Sequence, residues 1–150
     1  LDFTACAPEK YFPDGELVSK CKEIAKAAGG SVNVNSDPTE AVKDANVIYT
    51  DVWVSMGEPI EVWEERVKEL SPYQVNEKLM MSAAENAVFM HCLPAYHDKK
   101  TAVGKQMCET FNRESMEVTN EVFESDRSIV FEEAENRMHT IKAVMAATLI

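Results

Sequence analysis

Phe89-Met90-His91-Cys92-Leu93-Pro94 joins an apolar run to a thiol beside an imidazole, and Pro94 forbids further ladder donation there. A second apolar run, Asn46 to Thr50, stops at Asp51-Val52-Trp53-Val54-Ser55-Met56-Gly57-Glu58. If both runs are strands of one parallel sheet, their carboxyl ends share the edge where open α/β sheets hold ligands. A carboxylate and a hydroxyl four residues apart can grip an ammonium group together, and Gly57 permits close backbone approach. Each residue also has an ordinary reading. Asp51 and Ser55 suit turns and caps, and an unpaired Cys is commonly a small core hydrophobe. His91 would face the opposite side from Cys92 if the strand continued, so a Cys-His nucleophile pair does not follow. His91, Cys92, His97 and Asp98 match no standard zinc spacing, and no metal is expected. Arg137 falls on the apolar side of a long last helix. There it is either a snorkelling or ion-paired arginine or a guanidinium drawn inward to an oxyanion.

The elements that must position these groups alternate. Leu1 to Ala5 reads as a strand. Leu17, Val18, Cys21, Ile24, Ala25 and Ala28 draw one helical stripe, stopped by Gly29-Gly30. Ser31 to Asn35 is a strand, and Asp37-Pro38 opens a helix with Glu40 in its first turn. The β-α-β-α-β order that results predicts parallel strands with right-handed crossovers. Beyond it, Ile60, Trp63, Val67 and Leu70 repeat at helical spacing, and Asn76 to Ala84 is a short helix before the strand Ala87 to Met90. Thr101 to Phe111 is expected to be partly helical with Gly104 interrupting it, Met116 to Thr119 briefly extended, and Thr119 to Phe123 one turn. The last helix is expected over 128–149. The Trp63 stripe and the set Met80, Met81, Met90, Met138 and Met145 are assigned to the core.

Composition narrows the function classes. At 150 residues the chain is one domain at most, and its formal charge of −11 argues against a phosphate-backbone partner. No apolar run approaches the ~20 residues needed to span a bilayer, and no leader pattern is present, so no membrane association is expected. Four scattered Cys without pair spacing favour free thiols in a reducing compartment. Four strands are few for a doubly wound sheet, and a chain that opens on Leu1 inside a strand reads as a fragment lacking its first βα unit.

At Asp51-Val52-Trp53-Val54-Ser55-Met56-Gly57 with His91-Cys92-Leu93-Pro94, the sequence resembles the aspartate/ornithine carbamoyltransferase family, in its ornithine-specific form. The likeness continues through Glu117 to Ser125 and through Ala134-Glu135-Asn136-Arg137-Met138-His139-Thr140-Ile141-Lys142. It covers essentially the whole chain but only the family's carboxyl-terminal, ornithine-binding half. The resemblance implies a Rossmann-like, three-layer α/β/α fold, with residues 1–150 an incomplete ornithine-binding domain. It implies transfer of the carbamoyl group of carbamoyl phosphate to the δ-amine of L-ornithine, giving citrulline and phosphate, without a cofactor.

Carried over by residue, Asp51 and Ser55 hold the α-amino group, and the Met56 backbone helps hold the carboxylate. Cys92 and the Leu93 carbonyl sit at the δ-amine and the carbamoyl group, while Arg137 reaches the carbamoyl phosphate oxygens. His91 and Pro94 shape the loop, and residues 57–58 resemble the loop that closes over ornithine. A cytoplasmic homotrimer, or a multiple of one, is implied for the full-length protein. The family's Ser-Thr-Arg-Thr phosphate motif and Asn-rich ornithine turn are absent, so these residues alone are expected not to catalyse. Two rivals are an amino-acid-binding module without catalysis and a transferase for another amine.

Overall fold

A computed structural model describes residues 1–55 and 58–149 of the chain, without the side chain of Ile60. The strands are β1 (Asp2–Cys6), β2 (Ser31–Asn35), β3 (Val47–Thr50) and β4 (Val88–His91). The helices are α1 (Gly15–Ala27), α2 (Pro38–Ala41), α3 (Ile60–Leu70), α4 (Glu77–Met81), α5 (Ala102–Thr110), α6 (Asn120–Phe123) and α7 (Val130–Thr148). Local sequence accounts for most boundaries. The Asp14 carboxylate accepts from the backbone N–H groups of Glu16 and Leu17 at the start of α1. Gly29, at φ 73°, takes the left-handed conformation that ends it. Asp37 caps α2 with Pro38 in the first turn, and Asn76 and Thr101 cap α4 and α5.

All the strand pairing is parallel, as the alternation of strands and helices requires, but the expected single sheet is two pairs. β1 lies beside β2, with Phe3 opposite Val32, and β3 beside β4, with Thr50 opposite His91. No ladder joins β1 to β3 among the described residues. The core is equally lopsided. One cluster gathers Val42, Ile48, Val75, Met80, Phe89, Val118, Val122, Phe123 and Val130 around β3 and β4. A second gathers Trp53, Val54, Trp63, Val67, Tyr96, Met107, Cys108 and Met116 beneath α3 and α5. No residue of β1, α1 or β2 is fully buried, and Phe3, Leu17 and Ile24 stay more than half exposed. Polar ties fasten this outlying unit: Lys10 Nζ lies 2.6 Å from both Glu65 and Glu69, and Tyr73 donates to the Ser36 carbonyl.

Three expectations need correction. Gly104 does not interrupt α5; it lets the helix start press against the loop before it, where an added Cβ would lie 2.7 Å from the Asp98 carbonyl oxygen. Met81, Met138 and Met145 are outside the core, at 74%, 48% and 52% exposure, whereas Met80 and Trp63 belong to it. The last helix begins two residues later than expected, at Val130. Its apolar stripe, with Phe131, Ile141 and Val144 exposed, has little to pack on beyond its first turn. Among the described residues, no helix is long and apolar enough to cross a membrane.

Candidate active site

The ends of β3 and β4 lie side by side because Thr50 and His91 are register partners. One residue beyond each pair partner, Asp51 and Cys92 meet. The Cys92 thiol donates to Asp51 Oδ1 at 3.0 Å, and the same oxygen accepts from the Val52 N–H at 2.7 Å. Both residues are exposed at the edge. Desolvation of the sulfur, first, and the Asp51 carboxylate beside it, second, push the Cys92 thiol up to about 11. At neutral pH the group is therefore a protonated donor, not a thiolate nucleophile. Ser55 is exposed on the same loop, with its backbone N–H donating to the Glu58 carboxylate at 2.8 Å. Met56 and Gly57 lie outside the described residues.

His91 points the other way, into the protein, and is fully buried. Its Nδ1 accepts from the Leu93 N–H at 3.1 Å, which assigns the proton to Nε2, 3.2 Å from Glu117 Oε1. The imidazole thus holds the turn that follows Cys92 and has no contact with the sulfur. Leu93 adopts φ 40°, a left-handed conformation that a branched side chain takes only when its surroundings hold it there. Pro94, after a cis bond, is exposed, and Ala95 and Tyr96 return to the core.

Arg137 is exposed on α7, four residues after Glu133. Glu133 Oε2 accepts the His91 backbone N–H at 3.1 Å, which pins the first turn of α7 to the outer edge of β4. Tyr49 lies between Glu133 and Cys92, and burial first, then the Glu133 carboxylate, raise its hydroxyl above the ordinary phenol range. Sequence reasoning singled out none of Glu117, Glu133 and Tyr49. Only Glu117 carried a signal, a carboxylate set inside the apolar stretch Met116-Glu117-Val118.

Chemically, the edge offers a carboxylate and a neutral thiol donor in direct contact, 3.0 Å apart. Such a set is chemically able to hold and orient an amine.

A family model described as "Aspartate/ornithine carbamoyltransferase, Asp/Orn binding domain" matches residues 1–148. The chain is 56% identical over 149 residues to the catabolic ornithine carbamoyltransferase of Treponema denticola, covering 99% of this chain and 44% of that protein. It is 53% identical over 150 residues to "Ornithine carbamoyltransferase 1, catabolic" of Staphylococcus epidermidis, covering 99% of this chain and 45% of that one. The solved ornithine carbamoyltransferase of Pyrococcus furiosus superposes with a TM-score of 0.79 at 43% identity, over 97% of this chain and 41% of that one. The chain therefore spans less than half the length of these relatives.

Proposed function

From the premise that this chain belongs to the aspartate/ornithine carbamoyltransferase family and matches its Asp/Orn-binding domain, we propose that it is the ornithine-binding part of an ornithine carbamoyltransferase. The observation that carries the reading is the contact between Cys92 Sγ and Asp51 Oδ1, 3.0 Å long, at the ends of two paired strands in a chain of this family.

Asp51 and Ser55 take the α-amino group of L-ornithine, and the Met56 backbone takes its carboxylate. The δ-amine then lies by Cys92 and the Leu93 carbonyl, whose lone pair accepts one of its N–H bonds. Attack requires the neutral amine. The Leu93 carbonyl, by accepting one N–H bond, orients the deprotonated amine so that its lone pair faces the carbamoyl carbon. The new C–N bond forms as the carbonyl oxygen gains negative charge. Collapse breaks the C–O bond to phosphate, which leaves with that electron pair and takes up the amine's surplus proton. Arg137 stabilises oxygen charge on carbamoyl phosphate. Holding the two reactants in line supplies much of the acceleration.

Carbamoyl phosphate is held mainly by the half of the longer protein outside these residues, and a cytoplasmic homotrimer is the assembly that the family resemblance supports. The test is citrulline production from ornithine and carbamoyl phosphate by the full-length protein, with calorimetry against ornithine, lysine and putrescine. Turnover with ornithine alone of the three amines is the expected result. Turnover with another amine, or ornithine binding without turnover, would replace the proposal with one of its rivals.

A further inference from the structure

Two buried polar side chains touch neither reactant in the site just proposed. His91 and Glu117 are each 0% exposed. Burying a carboxylate is costly unless its hydrogen bonds are made, yet Glu117 Oε2 has no partner among the described residues. The other oxygen carries everything: Oε1 accepts from the Tyr96 N–H at 2.6 Å and faces His91 Nε2 at 3.2 Å. The imidazole passes the constraint on through Nδ1 to the Leu93 N–H. One carboxylate oxygen therefore holds both ends of the turn from His91 to Tyr96. Cys92 and Leu93, the two residues aimed at the reacting amine, lie inside that turn, and Leu93 is strained at φ 40°. A backbone conformation of that kind persists only where neighbouring contacts over-determine it.

We propose that Glu117 is a positioning residue which, through His91 and the Tyr96 N–H, sets the Leu93 carbonyl and the Cys92 thiol against the δ-amine. The inference rests on the ornithine carbamoyltransferase reading for its kinetic consequence. Glu117 is not part of a proton relay to Cys92: both imidazole nitrogens are engaged elsewhere, and the thiol is paired with Asp51. Asp51 and Ser55 follow β3, which Glu117 does not touch, so misplacing the turn after β4 disturbs the reacting end more than the grip on the α-amino group.

The experiment compares Glu117→Met, which keeps the volume, with Glu117→Gln, which keeps an acceptor oxygen, in the full-length protein. The expected result is a fall in kcat of about tenfold to a hundredfold for Glu117→Met, with KM for ornithine changed less than about threefold. Glu117→Gln restores kcat to within about threefold of wild type. A kcat per folded site that stays native in Glu117→Met overturns the inference, since a purely structural role lowers thermal stability without altering the folded site. Should Glu117→Met fail to fold, His91→Phe cuts the same link, with the same expected split and the same overturning result. Alkylation of Cys92 by iodoacetamide is an arm independent of turnover. Releasing the turn separates the thiol from Asp51, so the rate at pH 8 rises about fivefold or more in Glu117→Met and not in Glu117→Gln. An unchanged rate in Glu117→Met overturns the positioning role even if the wild type makes no citrulline, a result that would sink only the functional reading.

Discussion

Cys92 donates to Asp51, so removing either partner changes the other in a predictable direction. In Asp51→Asn, the negative charge that helps hold the thiol up to about 11 is gone, and the Cys92 pKa falls toward its ordinary value of 9.0. Iodoacetamide kinetics followed by mass spectrometry should show faster modification of Cys92 at pH 8 in that variant, together with a large rise in KM for ornithine in the full-length protein. The raised thiol pKa also sets a sign for stability. The folded protein keeps a proton that the unfolded chain has already lost, so this contribution is complete below pH 9 and is lost as pH rises through about 11. Between pH 8 and pH 11 the denaturation midpoint of wild type should fall relative to that of Cys92→Ser, and parallel curves would refute the shift. Cys92→Ala itself should lower kcat by about a hundredfold or more, the lower end of what a group engaged with the reacting proton contributes. Unchanged turnover would remove Cys92 from the catalytic machinery. Asp51 and Cys92 could be read from the chain because each directly follows a recognisable strand. Glu117 could not, because its partners lie 26 and 21 residues away and only folding brings them to one oxygen.

Among the elements, α5 shows how a local rule can mislead. Glycine lowers helix propensity, which predicted an interruption at Gly104, but the helix runs unbroken from Ala102 to Thr110. The reason is tertiary: the Asp98 carbonyl occupies the space a side chain would need. Gly104→Ala should therefore destabilise the protein by about 1–3 kcal/mol despite alanine's better propensity. Thermal unfolding of the variant checks this, and a gain in stability would mean that the loop before α5 yields easily. α7 makes the converse point. Its first turn is positioned by Glu133 on the His91 N–H, so the azimuth of Arg137, one turn on, is set from β4 and not by the helix's own stripe.

Among the described residues the strands form two parallel pairs, with free ladder edges on β1 and β3 and an outlying unit that buries no residue completely. Open edges carrying apolar residues, here Phe3 at 54%, Val47 at 49% and Tyr49 at 54% exposure, favour association with further strands. Amide exchange should accordingly be faster in β1 and β2 of this chain by itself than in the full-length protein. Equal protection in the two forms would mean that the pairs need no further strand. The chain alone should also form no citrulline, and appreciable turnover by it would refute the division of labour between the two halves.

Strand and helix order, most caps, the parallel sense of pairing and the places of Asp51 and Cys92 just beyond strands were written in local pattern, since periodicity and capping depend on neighbours in the chain. Three features belonged to the tertiary structure alone: the split between the strand pairs, the exposure of Met81, Met138 and Met145, and the burial of Glu117 against His91 and Tyr96. Each depends on which distant surface is present to cover an apolar face or satisfy a polar atom. Spacing along a chain carries no record of that.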